Sequence, residues 1–236
     1  MRYRVLQRKT DLLPVDLPNL TDVIYQLLRE RILRYEFAPG ARLDLAELEA
    51  SLEVSRTPLK DALTRLEAEG LVEILPRRGT FVAAISAEKL DEAYKIRSAF
   101  ELYVVLCIFK YLTPQDFAFF HDLRQSLEAL AQSADANGWG SIIHDYLALD
   151  QQLHEHFVLR GGTPRMLQLF QQMNVHMHVR RIIRRYQPRD FQALHFEHEQ
   201  IFEALDDRSP DRLNAALLNH LEASRYRALR YSQETP

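Results

Sequence analysis

The sequence predicts a mainly α fold in two parts: three short helices closed by a β-hairpin, then an all-helical bundle of about six helices. Three observations carry this. Glycine is sparse, at 7 of 236 residues, while Leu, Ala, Glu and Arg are abundant, a balance that favours helices. β-like stretches are confined to residues 72–83. Beyond them helix starts are unusually legible, because Thr113-Pro114, Thr163-Pro164 and Ser209-Pro210 each set a capping hydroxyl before a first-turn proline.

Length and composition narrow the field. At roughly 100–200 residues per domain, the chain makes one large domain or two modest ones. Hydrophobic residues are 47% of it, enough for a packed core, so wholesale disorder is excluded. A single cysteine, Cys107, excludes a disulfide-stapled fold. The longest apolar run, Leu102–Phe109, falls far short of the ~20 residues of a membrane span. The opening MRYRVLQRKT has no apolar signal core, so a cytoplasmic location with no membrane partner is expected. Net charge is −3, so nucleic-acid binding must rest on a local basic patch.

Residues 1–17 read as an arm, with Arg2, Arg4, Arg8 and Lys9, and with Pro14 and Pro18 to break any helix. A first unit is expected over residues 18–85. In it, Thr21–Arg34 places Val23, Ile24, Leu27, Leu28 and Ile32 on one helical face. A second helix follows over about 44–52, and a third from about Ser55 to Glu69 stops at Gly70. Stretches Val72–Leu75 and Thr80–Ala83 flank Pro76-Arg77-Arg78-Gly79. Three helices and a hairpin with a basic tip are the order of a winged helix-turn-helix. A second unit, residues 86–231, reads as helices near 87–111, 114–136, 141–160, 164–186, 189–206 and 210–230. Asp116, three residues after Thr113, makes a variant capping box.

The third helix carries the sharpest motif. Ser55 can cap it, and Leu59, Leu63 and Leu66 would hold it to the core. Arg56, Thr57, Lys60 and Arg65 would then face solvent, with donors near the N-terminal end where a recognition helix meets phosphates and base edges. Arg77, Arg78 and Gly79 at the hairpin tip would track the backbone or the minor groove. The stretch "PGARL…LEVSRTPLKDALTRLEAEGLV…PRRGTFV" closely resembles the DNA-binding domain of the GntR superfamily of bacterial transcription regulators, over nearly all of residues 20–83. The resemblance implies major-groove contacts by Arg56 and Lys60, phosphate contacts by Ser55 and Thr57, and roles for Gly79 at the wing and for Arg42. Lys60 stands where the family usually has arginine, and Glu53 where it usually has a turn glycine.

All nine histidines lie between residues 121 and 220. On a helical wheel of about 100° per residue, Asp150 falls near the middle of the arc of Ile142, Ile143, Tyr146, Leu147, Leu149, Leu153, Phe157 and Val158. His154 lies about 40° away from it. His198 sits amid Phe191, Leu194, Ile201, Phe202 and Leu205, and His220 amid Leu213, Ala216, Leu217 and Ser224. One inward histidine is ordinarily a hydrogen-bonded core residue. Three of them with an inward aspartate make that reading uncomfortable, because a buried carboxylate needs a partner or a cation. His144, His156, His176 and His178 show no such convergence and are expected at the surface or a pocket rim. The run Arg180, Arg181, Arg184 and Arg185 is expected to face either an effector cavity or solvent, with solvent favoured for at least two of them.

This half resembles the FCD effector domain of the FadR-like branch of the same superfamily, through "IRSAFE" (96–101), "DQQLHEHF" (150–157), "HEQIFEAL" (198–205) and "NHLEAS" (219–224). The resemblance implies that Asp150, His154, His198 and His220 hold a divalent metal beneath an effector cavity. It also implies that Arg97 meets an anionic effector. Such a ligand set suits Zn²⁺, placed first, or Ni²⁺ or Mn²⁺. The expected protein is a homodimeric regulator, a repressor, that binds operator DNA and answers to a small carboxylate. Two other readings stand beside it: a metal-dependent enzyme using the three-His/one-Asp set, and a DNA-binding protein whose helical part only dimerises. No general base or nucleophile elbow accompanies the first.

Overall fold

Two hydrophobic clusters organise the chain, one built from residues 24–82 and one from residues 90–231. The computed structural model describes residues 19–84, 86–172, 179 and 182–233. The arm over 1–17 lies outside the described residues, as do His176, His178, Arg180 and Arg181.

Helix α1 (Leu20–Leu33) is capped by Asn19, whose side chain accepts from the Thr21 N–H. It buries Ile24, Tyr25, Leu28, Ile32 and Leu33, and packs on α3 (Arg56–Ala68) with its Leu59, Leu63 and Leu66. Val23 and Leu27, expected on that face, are 47% and 42% exposed. Both sit about 100° or more around the helix from Leu28, beyond the arc that α3 covers. Tyr25 lies closer to that arc and is buried in their place. Between these helices, α2 (Leu45–Leu52) is capped by Asp44 and ends at Glu53, which holds a left-handed conformation (φ 53°, ψ 40°). Ser55 stands at the N-cap of α3 in extended conformation but makes no side-chain capping bond there.

The hairpin forms as expected from β2 (Val72–Leu75) and β3 (Gly79–Val82), antiparallel with Val72 opposite Val82. The sequence analysis missed a third strand, β1 (Arg42–Leu43), which pairs with β3 and gives the order β1-β3-β2. Two residues are too short for any period to show.

The second unit opens with α4 (Ala87–Val105), which ends six residues before the expected 111 and is followed by one 3₁₀ turn at Ile108–Lys110. Helix α5 (Pro114–Asn137) starts with the full capping box of Thr113 and Asp116. Helix α6 (Ile143–Gly161) crosses α4 closely: a β-carbon on Gly161 would stand 2.8 Å from the Val104 carbonyl oxygen. Helix α7 (Pro164–Gln172) is the described start of the expected 164–186 helix, and Ile183–Arg185 form a 3₁₀ turn. Helices α8 (Pro188–Asp206) and α9 (Pro210–Gln233) complete the bundle, α9 packing on both α8 and α4. Among the described residues no helix is long and apolar enough to cross a membrane.

Candidate DNA interface and metal centre

The first turns of α3 place Arg56, Thr57 and Lys60 in solvent. Arg56 is 61% exposed and, among the described residues, pairs with Glu49 alone, at 3.7 Å, a contact weak enough for a phosphate or base edge to replace. At the hairpin tip Arg77 and Arg78 are exposed. Gly79 holds φ 117°, and a β-carbon there would lie 3.1 Å from Nε of the exposed Arg42. Ser55 is exposed at the same end of α3. Arg65 differs from its expected role. Its guanidinium pairs with Asp22 and stacks 4.0 Å above the Tyr25 ring, so it fastens α3 to α1. The i+9 position from Arg56 carries it toward the rear of the helix, over α1, away from the N-terminal donors.

In the helical unit, the four expected ligand residues are all buried. Asp150 and His154 come from α6, His198 from α8 and His220 from α9. One ligand atom from each lies within 4.8 Å of the others. Nε2 of His198 is 2.6 Å from Oδ1 of Asp150, Nε2 of His154 is 3.4 Å from it, and Nε2 of His220 is 3.9 Å. The His154 and His220 Nε2 atoms face each other across 3.1 Å.

Every Nδ1 is engaged elsewhere. His154 meets Glu101, His220 meets Glu197 at 3.2 Å, and His198 meets the Tyr146 hydroxyl at 3.0 Å. Partners on Nδ1 leave Nε2 as the atom each ring turns inward, the arrangement that orients histidines around a metal. At most one proton fits between the facing Nε2 atoms, so lone pairs point at a common centre beside a carboxylate. Three imidazoles and one carboxylate fit a borderline divalent ion such as Zn²⁺, Ni²⁺ or Mn²⁺.

The electrostatics divide the rings: against burial and Arg97, the Glu101 and Asp150 carboxylates raise His154. Burial, against the upward pull of Glu197 and with the help of His198, pushes His220 down to about 3 and leaves its ring neutral near neutral pH. Burial alone would raise Glu101, but the Arg97 guanidinium, and then His154, bring it down to about 2. Arg97 is buried, donates from Nε to Glu101 at 2.5 Å, and has no hydrogen-bond partner for Nη2 among the described residues. Arg227 grips Glu197 with two 2.6 Å bonds and likewise leaves Nε unpaired. Both guanidiniums, with Asp150 and His220, line a cavity of about 20 Å³ walled by Ile183 and Tyr186.

Glu101, Glu197, Tyr146 and Arg227 were not among the residues expected at the centre. A signal existed for two of them. Glu197 stands three and four residues from Leu194 and Ile201, and Glu101 four residues after Arg97, so each is a charge inside a buried stripe as Asp150 is. Of the other histidines, His156 pairs with Asp116 at 2.8 Å and stacks on Phe119. His144 lies at the rim of a cleft beside Arg34 and Trp139. Arg185 donates to the Tyr231 carbonyl and the Tyr35 hydroxyl, so it faces neither the cavity nor open solvent.

A winged helix-turn-helix module followed by an all-helical unit is an architecture of bacterial transcription regulators. Residues 20–82 match the bacterial regulatory proteins of the gntR family, and residues 92–223 match the FCD domain. The chain belongs to this family, as a DNA-binding transcription regulator of the GntR/FCD type and not an enzyme. It is 30% identical over 191 residues to the Nta operon transcriptional regulator of Aminobacter aminovorans, covering 80% of this chain and 84% of that one. It is 28% identical over 204 residues to the HTH-type transcriptional repressor RspR of Escherichia coli K12, covering 84% of each. The fold is that of E. coli McbR/YncC, with a TM-score of 0.70 at 23% identity over 91% of this chain and 99% of that one.

Proposed function

We propose that this regulator is a homodimeric repressor whose helical unit holds one divalent metal and a small carboxylate effector. The observation that carries the reading is the convergence of three Nε2 atoms and Asp150 Oδ1 beneath two buried guanidiniums with uncommitted N–H groups. Zn²⁺ is the first candidate, with Ni²⁺ and Mn²⁺ behind it. Its bound form would supply a Lewis-acidic docking point with open positions for an anion. Charge supports a monoanion. Arg97 is balanced by Glu101 and Arg227 by Glu197, so Asp150 and a dication leave a net charge of about +1 there.

The division proposed is an arm over 1–17, a winged unit over 18–85 and a helical unit over 86–231, in a cytoplasmic protein. Arg56 and Lys60 enter the major groove, Ser55 and Thr57 meet phosphates, and Arg42, Arg77, Arg78 and Gly79 serve the wing. Two such units in a dimer read two half-sites. A cavity of about 20 Å³ holds a water and no more, so an effector must displace part of its wall, to which Ile183 belongs. That residue shares its turn with Arg185, which reaches the Tyr35 hydroxyl just past the end of α1. An effector that favours the displaced wall would thereby shift the population of DNA-binding arrangements.

Native mass spectrometry of freshly purified full-length protein, followed by titration of a selected operator duplex, tests this reading. One divalent ion per chain is expected, and a panel of small hydroxy and keto acids should weaken operator binding only in the metal-loaded protein. A chain that takes up no metal after reconstitution with Zn²⁺, Ni²⁺ and Mn²⁺ would favour a helical unit that only dimerises.

A further inference from the structure

A second set of metal-ligand side chains lies outside the buried centre, between α5 and α8. Glu128 comes from α5, and His195 and Glu199 come from α8. His195 and Glu199 are four residues apart, so they share one face of that helix. One ligand atom from each of the three lies within 4.8 Å of the others. Oε2 of Glu128 is 2.9 Å from Nε2 of His195. That is the edge expected between two ligands at a right angle, each about 2.05 Å from one ion. All three residues are half-buried.

What lifts this set above a chance meeting of charges is that each member is held through its other atom. The Tyr146 hydroxyl lies 3.1 Å from Nδ1 of His195, which turns Nε2 toward Glu128. Gln132 donates to Oε1 of Glu128 at 2.7 Å. Arg124 donates to Oε2 of Glu199 from both Nε, at 3.0 Å, and Nη2, at 2.6 Å. Three side chains outside the set thus fix its members and leave Nε2 of His195, Oε2 of Glu128 and Oε1 of Glu199 for a cation. Outer partners orient bound ligands around a metal in this way. Charge points in the same direction. Arg124 also binds Asp206 at 2.9 Å, so its charge is matched, and those of Glu128 and Glu199 remain to balance a dication.

We propose that Glu128, His195 and Glu199 form a second metal site, for Zn²⁺, which clasps α5 to α8. One imidazole and two carboxylates suit that ion, and three protein ligands leave room for water to complete its shell. The set is half-buried, whereas the four residues of the inner centre are buried. Its ion therefore exchanges with solvent, and the site fills when Zn²⁺ is supplied rather than keeping an ion through purification. The two sites share no ligand, so each stands or falls alone.

Metal-stripped full-length protein, titrated calorimetrically with Zn²⁺ and crystallised at zinc saturation, tests the site. The parent is expected to take up one ion more per chain than Glu128→Gln, which keeps the shape of the side chain and removes its charge. That side chain is 45% exposed, so the variant should fold as the parent does. His121→Ala, two turns earlier on α5, should keep the parent's count. In parent crystals an anomalous zinc peak should lie within bonding distance of Glu128, His195 and Glu199, and it should vanish in Glu128→Gln. Equal zinc counts in the parent and Glu128→Gln, or no peak among the three residues at saturation, would overturn the site. So would an equal loss in His121→Ala, because uptake would then be general to surface groups. The extra ion is expected to remain in His198→Ala. A parent whose zinc lies only between α5 and α8 removes the reading of the inner centre and leaves this site standing, and zinc only at the inner centre does the reverse.

Discussion

The turn that aims the recognition helix is held by a residue poorly suited to it. Glu53 adopts φ 53° and ψ 40°, a left-handed conformation that a β-carbon disfavours by roughly 1 kcal/mol. Its side chain is exposed, so no buried contact offsets that cost. Glu53→Gly is therefore expected to stabilise the protein by about 1 kcal/mol in denaturant unfolding. A variant no more stable than the parent would show that the glutamate makes a compensating interaction. Three residues after Glu53, Arg56 is exposed with one weak neighbour among the described residues, so Arg56→Ala should leave stability nearly unchanged. Operator affinity should fall by about 1–3 kcal/mol, the worth of a good base contact. Titration of specific and scrambled duplexes checks this; equal discrimination by parent and variant would remove Arg56 from the reading surface.

Among the elements, α5 shows how a start signal becomes energy. Thr113 and Asp116 cap each other reciprocally, and Asp116 also meets His156 and Arg160, both at 2.8 Å. Burial opposes ionisation of Asp116, yet the Thr113 bonds and then His156 and Arg160 bring it down to about 2. A carboxyl lowered on folding adds stability that is complete above its unfolded value near 4 and is lost as pH falls through 2. Asp116→Ala should cost about 1–2 kcal/mol at pH 7, and the gap to the parent should close between pH 4 and 2. A gap independent of pH would mean that the charge adds nothing to the cap. Such starts were legible in sequence because Thr-Pro and Ser-Pro pairs act through local backbone geometry. The end of α4 was not, because no Gly, Pro or capping residue follows Val105 until Thr113. The two-residue strand β1 was invisible for a different reason, since its existence depends on β3 across the sheet. The buried stripes gave away Asp150, His154, His198 and His220, but which atoms stand behind each ring depends on how four helices cross, and no single-helix period contains that.

For the whole molecule, the proposed centre ties α6 to the later, consecutive helices α8 and α9. Asp150 and three imidazoles share one buried space, in which Nε2 of His154 and of His220 face each other across 3.1 Å. A metal that binds the folded chain alone adds stability by mass action, about 2.7 kcal/mol at one hundred times its Kd. In a chain of this size that corresponds to roughly 5–10 °C in Tm. A chelator is thus expected to lower the melting temperature of the parent by that amount and to leave His198→Ala almost unmoved. His121→Ala is the control, since His121 is exposed and meets only Gln125; it should follow the parent. His198→Ala must still melt cooperatively for the comparison to hold, which near-ultraviolet dichroism checks. Were chelation to shift His198→Ala as much as the parent, any bound ion would lie elsewhere, and the four residues would be a hydrogen-bonded core joining α6, α8 and α9.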